Sequence, residues 1–281
     1  MNQIFSFSRW WLLVQKHWTE NRKRYLLALV AMGGLLAAWY GFLLTMESRY
    51  ALNPGDQFAA YYFGLYFIGC LYGSTVFAGL GSRPSGIDYL SLPASQFEKL
   101  FCGLFFSVLL FFIAYTLVFY IVDIPFVQLR NQWVARHNPL LPKDENPIPS
   151  VTVYNVFTAV DGPIPERLYH LFMLVYFPLQ AAFILGSVYF TRYSFIKTIV
   201  AVLLFILASV LFVTKGIEDH LPAGWRANGL LEWGQFNAVR GQVKMVRLSG
   251  GMEWILGFVV RYSGAFIFWF ITYVRLKEKE V

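Results

Sequence analysis

Six long apolar runs separated by polar stretches dominate the chain: 25–44, 58–80, 100–122, 168–190, 198–213 and 254–274. A bilayer core takes about 20 helical residues, and all but the fifth run reach that length. The fifth is shorter and gains length from Phe195 and Ile196, with Lys197 snorkelling to the interface. The pattern predicts an all-α polytopic membrane protein with six transmembrane helices, one three-helix half in 25–122 and a second in 168–274. Two sizeable outer loops, 123–167 and 214–253, and a short tail, 275–281, complete the layout.

Within the first 24 residues Ile4, Phe7, Trp11, Val14 and Trp18 recur at helical spacing, with Arg9, Lys16 and Glu20 turned elsewhere. This predicts an N-terminal amphipathic helix over 1–24 lying at the membrane surface, or packing on another subunit. The run 25–44 exceeds a signal-peptide core and no small-x-small cleavage site follows, so the segment is expected to stay attached.

Composition supports lipid as part of the solvent: 57% of the 281 residues are hydrophobic, 19% aromatic and only 14% charged, against about 25% charged in soluble domains. The net charge of +7 does not form a basic face with interleaved stacking aromatics, which argues against nucleic acid. Its placement instead gives an orientation. Segments 1–24, 81–99, 191–197 and 275–281 carry 12 Lys and Arg in 57 residues, whereas 45–57, 123–167 and 214–253 carry 10 in 98. The denser set is expected to be cytoplasmic, with both termini inside, in a cytoplasmic (inner) membrane.

The connection 81–99, GSRPSGIDYLSLPASQFEK, is the most informative stretch. Gly81, Pro84 and Gly86 break the second span, Ile87 to Leu92 fit about one and a half helical turns, and Pro93 stops them. Ser95 with Glu98 three residues later has the spacing of a capping box that starts the third span. The reading is a short cytoplasmic helix between spans two and three, or an ordinary well-capped loop. The connection 123–167 holds seven prolines, Pro125 to Pro165, and so is not one regular element; Phe126, Val127, Leu129, Trp133 and Val134 favour partial packing on the outer membrane surface, and 149–160 suits an extended segment. The connection 214–253, with Trp225, Trp233 and Phe236 among glycines, reads as a compact structured loop.

The spans offer little chemistry. There is no HExxH, none of His17, His137, His170 and His220 lies deep in a span, and no G-x-x-x-x-G-K-[ST] occurs. Gly73-Ser74 and Ser263-Gly264 lack a histidine to activate the serine. Cys70 and Cys102 have neither metal-site spacing nor a nearby His. No enzyme activity, metal or cofactor is expected of this chain, and any ATPase must be another polypeptide. Arg261 is the one charge well inside a span, a functional candidate that also has a structural explanation in pairing with Glu253. Gly69 and Gly73 form a G-x-x-x-G pair for close helix packing within the bundle or against a second subunit. Pro178 and Gln180 predict a kink and a polar group in the fourth span. Tyr61, Tyr62, Tyr66 and Tyr72 are expected to face lipid or its interface, with a lining for an amphiphilic substrate as the alternative. A secondary transporter is disfavoured because no Asp or Glu pair sits within the runs.

Ile87-Asp88-Tyr89-Leu90-Ser91-Leu92-Pro93-Ala94-Ser95, followed by Glu98-Lys99, resembles the "yLsLPAS…EK" stretch of bacterial ABC-2-type ABC transporter permeases, and the six-span layout is similar to that of their membrane subunits. The resemblance implies that Asp88 to Leu92 form a coupling helix fitting a groove on a separate ATP-binding cassette ATPase, and that two permease protomers, alike or different, enclose a path for a lipid, peptide or other amphiphile. The 45-residue connection 123–167 departs from the family's short one. It leaves room for the alternative, a non-catalytic scaffold or accessory subunit that anchors an assembly through its outer loops.

Overall fold

The computed structural model describes residues 5–46, 51–81, 86, 87, 89, 91–142, 145–158, 166–212, 225–227, 232–237, 242–247 and 250–279, without side chains at 81, 166–171 and 225–261. Six long helices lie among them: α1 (Phe7–Met46), α2 (Pro54–Gly73), α3, which runs through Gln96–Leu104, a π-helical segment Phe105–Leu110 and Phe111–His137, α4 (Glu166–Tyr189), α5 (Ser194–Leu211) and α6 (Gly250–Glu278). Five stretches, Phe7–Met46, Pro54–Leu80, Gln96–Leu140, Phe172–Tyr189 and Ser194–Leu211, are long and apolar enough to cross a membrane.

Two helices outrun the apolar stretches that predicted them. The expected surface helix over 1–24 is not a separate element: α1 continues from Phe7 through Arg22, Lys23 and Arg24 into the first span. No Gly or Pro falls between Ser6 and Gly33 to break it, and at about 1.5 Å per residue the 40-residue helix is about twice the thickness of a bilayer core. Its buried stripe is also offset from the predicted one. Trp10 and Val14 are buried, whereas Phe7, Trp11 and Trp18 are exposed. At the other end of the bundle α3 does not stop at Val122 but passes through Pro125 to His137. Proline removes one backbone donor there without ending the helix, so Phe126, Val127, Leu129, Trp133 and Val134 belong to a helix, with Val127 and Val134 buried seven residues apart.

Contacts fix the directions. Trp10 packs on Phe101, Tyr25 on Phe106 and Tyr40 on Phe126, so α1 and α3 run side by side in the same sense. Gln57 bonds to the segment at Thr152 while Tyr72 bonds to Tyr25, so α2 runs the other way. The start of α3 meets the last part of α6 through Phe97 and Tyr273. The beginning of α1, the beginning of α3 and the end of α6 therefore share one end of the bundle.

Aromatic rings fill the bundle between α1, α2, α3 and α4. Tyr40, Tyr61, Tyr62, Tyr115, Phe119 and Tyr176 are all buried. This corrects the expectation that the tyrosines face lipid: Tyr61 bonds to Thr116 Oγ1 at 3.0 Å, Tyr115 donates to the Tyr61 carbonyl at 3.0 Å, and Tyr66 donates to the Phe172 carbonyl. A buried hydroxyl with a partner turns a ring inward at little cost. Small residues make room for the rings. A Cβ on Gly64 would collide with the Tyr115 hydroxyl, and Gly69 faces Tyr176 and Phe111. In the π-helical segment the altered hydrogen-bond spacing frees backbone acceptors, and the Ser107 carbonyl accepts from the buried Gln180 side chain of α4.

Beyond the apolar runs, the connection after α3 turns back along that helix. Asn138 clasps Ile148 through its N–H (2.9 Å) and carbonyl (3.0 Å), and Asn131 clasps Val151 in the same way (2.9 and 2.7 Å). Gln57 accepts from the Tyr154 N–H at 2.7 Å and donates to the Thr152 carbonyl at 3.1 Å, and Tyr120 accepts from Val156 N–H at 3.0 Å. The registers match: seven helical residues and three extended ones each advance about 10 Å. Side-chain amides stand in for a neighbouring strand, and this strap, residues 147–156, buries Tyr154 and Val156 in the aromatic core.

α5 is largely exposed, with Ser194 and Thr198 its only buried residues; it approaches α4 where Gly186 faces Thr198. In the connection 214–253 the described residues before α6 form an antiparallel meander, β1 (Trp225–Ala227), β2 (Glu232–Asn237) and β3 (Gln242–Arg247), with Trp225 opposite Gln235 and Trp233 opposite Val246. The fold is thus predominantly helical, with a small sheet in that connection.

Candidate functional site

The connection 81–99 and the start of α1 are built around one carboxylate. Ser95 and Glu98 form the capping box that opens α3: Ser95 Oγ accepts from the Glu98 N–H at 3.1 Å, and Glu98 Oε2 accepts from the Ser95 N–H at 2.9 Å. The other carboxylate oxygen reaches across the chain, accepting from the Ser6 N–H at 2.6 Å and from Arg9 Nη2 at 2.9 Å. Glu98 is fully buried, whereas the Arg9 side chain is 41% exposed. Burial pushes the Glu98 carboxyl up, but the hydrogen bonds from Ser95, Ser6 and Arg9 outweigh it and hold it below the usual carboxylate range.

Apolar packing reinforces the clamp. Trp10 lies 5.2 Å from Phe101 and 5.4 Å from Phe105, ring centre to ring centre, and Trp10 and Val14 form a cluster with Cys102 and Phe106. Upstream of Pro93, Gly86, Ile87 and Tyr89 are helical and the Ser91 N–H donates to the Ile87 carbonyl at 2.9 Å. Tyr89 packs on Phe77, and the buried Lys99 places its ammonium 5.8 Å from the Tyr89 ring centre. Between these two walls lies an open cleft of about 540 Å³, lined by Leu13, Lys16, His17 and Glu20 of α1 and by Tyr89, Ser91 and Leu92 of the connection. From its wall a line of hydrogen bonds enters the bundle: His17 Nε2 to the Tyr25 hydroxyl at 2.6 Å, and Tyr72 to Tyr25 at 3.0 Å.

Of the residues singled out in the sequence, Ile87, Tyr89, Ser91, Leu92, Ser95 and Glu98 lie together here. Asp88 and Leu90 lie outside the described residues, as does the side chain of Arg261. Gly69 and Gly73 face α4, through Tyr176 and the Gln180 and Phe183 backbone and Cβ. Cys70 and Cys102 are free, buried thiols, and no group of three His, Cys, Asp or Glu suited to a metal occurs among the described residues.

Two features escaped the sequence reading. Arg9 reads in the sequence only as part of the polar side of an amphipathic helix, because nothing local marks a partner 89 residues away. Asp123, the first charge after the third apolar run, reads in the sequence as the start of a loop but is fully buried inside α3.

No family model matches the chain, and no curated protein or solved structure proves significantly similar to it.

Proposed function

We propose that this chain is a permease-like membrane subunit that works with a separate ATP-binding cassette ATPase to move an amphiphilic or lipid-like substrate. The observation that carries the reading is the Glu98 clamp. A cytoplasmic motor can act on a membrane bundle only through an element that does not give way under load. Here the connection 81–99 is bonded to the helix it precedes and to the long α1, and the open cleft beside it offers a mixed polar and apolar surface for a partner. A force on Tyr89 or Leu92 would pass through Glu98 and Trp10 into α1 and α3 together.

The reading includes six spans, α6 with its run 254–274 being the sixth, both termini on the cytoplasmic side, and an inner-membrane location. Dense aromatic packing among α1 to α4 favours a substrate path between two protomers, alike or different, over one through a single bundle. The ordered outer strap favours a second reading, an accessory subunit that anchors an assembly from its outer face. A photo-reactive amino acid at position 91, on the cleft wall, separates the two. The permease reading expects a crosslink to a Walker-type ATPase in cells; crosslinks to lipid alone would favour the accessory subunit.

A further inference from the structure

Asp123 is the most anomalous polar residue in the described structure. Its side chain is fully buried, and neither carboxylate oxygen has a partner at hydrogen-bonding geometry. The Tyr40 hydroxyl of α1 and the Tyr154 N–H of the strap, which donates to Gln57 Oε1 at 2.7 Å, lie beside the carboxyl. No cation faces it. Arg130, two turns along α3, gives Nη1 to the Pro149 carbonyl at 2.9 Å, and Asp56 of α2 and Tyr115 of α3 act on Tyr40 instead. An ionised carboxylate buried without a counter-charge costs several kcal/mol, whereas its neutral form carries no charge to solvate and has an O–H to donate to the Tyr40 hydroxyl.

The strap that covers this carboxyl is held differently from the rest of the fold. Its main-chain partners are side chains, Asn138, Asn131, Gln57 and Tyr120, and Pro147 and Pro149 have no N–H to contribute. It can lift without breaking a helix or a sheet. Lifting it admits water to Asp123, and water is what the ionised form requires.

We propose that Asp123 is a proton-binding site that latches the outer strap: with the proton bound the strap lies docked on α3, and with the proton lost it lifts from the outer end of the bundle. The proposal stands whether or not the chain works with an ATPase.

The test places a nitroxide on Ser150→Cys, an exposed strap position, in full-length protein reconstituted in lipid nanodiscs, with Cys70 and Cys102 replaced by Ala. For one linked proton the docked-to-lifted ratio changes by up to about tenfold per pH unit. The wild-type spectrum should pass from slow to fast motion as pH rises from about 5 to about 8, the range open to buried carboxyls. Asp123→Asn should stay slow throughout, and Asn131→Ala, which loosens the strap directly, should be faster at every pH. A wild-type spectrum that does not change with pH overturns the proposal, as does a pH step that survives in Asp123→Asn. If Asp123→Asn does not fold, Tyr40→Phe replaces it and should move the midpoint. Repeating the series in sodium, potassium and choline separates a proton from a metal cation; mobility set by sodium or potassium and not by pH overturns the proton assignment.

Discussion

Glu98 accepts the Arg9 guanidinium at 2.9 Å across 89 residues of sequence while the same carboxylate caps the helix that opens α3. One side chain thus does a local task and a long-range one. Removing it strands the donors of Ser6, Ser95 and Arg9. Glu98→Ala is expected to cost about 2–4 kcal/mol, and Arg9→Ala, whose side chain is partly solvated, about 1 kcal/mol. Thermal unfolding in detergent, combined with protease sensitivity of residues 7–24, checks both. Equal losses would contradict the asymmetry in burial.

The clamp also has a pH dependence of known sign. The Glu98 carboxyl is held below the usual range in the folded protein, so its contribution is complete above the unfolded value, about 4.3, and disappears as pH falls through the lowered folded value. Protease protection of the start of α1 should be constant from about pH 8 to about pH 5 and fall only in more acid solution. Arg9→Ala, which removes one of the interactions holding the carboxyl down, should move that edge to higher pH.

Gly64 of α2 packs against Tyr115 of α3, where an added Cβ would collide with the hydroxyl. Gly64→Ala should destabilise by about 1–3 kcal/mol as an overpacked core does. Adding Tyr115→Phe removes the colliding oxygen and should recover part of that loss, although the ring carbon at 3.0 Å stays close. A double-mutant cycle on melting temperature measures the coupling; strict additivity would mean that the helices do not meet there.

Asn131 forms two bonds with one strap residue, Val151. Neutral bonds contribute about 1 kcal/mol each, so Asn131→Ala should loosen the strap by about 2 kcal/mol while leaving the spans intact. Hydrogen exchange should then quicken over 148–156 and not over α2.

What the sequence revealed and what it concealed divide by range. The Ser95–Glu98 cap was legible because a capping box is a spacing of three residues, and the apolar runs were legible because lipid selects composition over a whole span. The continuity of α1 past Arg24 and of α3 past Pro125 was not. A change from apolar to polar residues marks where the membrane ends, and a helix in water needs no such boundary. The inward turn of Tyr61 and Tyr115 depends on the hydroxyl partners and on Gly64, which only the packed bundle brings together. Asp123 looked like an ordinary loop residue for the same reason: its burial is created by Tyr40 and by the strap 31 residues downstream at Tyr154.

The role of the clamped connection is tested most directly by purifying the full-length chain from its own cells in mild detergent and measuring ATP hydrolysis in the preparation. Wild-type protein is expected to carry a stoichiometric Walker-type ATPase, and Tyr89→Ala or Glu98→Ala protein, still membrane-inserted, to have lost it or to hydrolyse ATP without response to lipid. Intact wild-type protein that carries no ATPase, or the same coupled activity in both variants, would contradict the account.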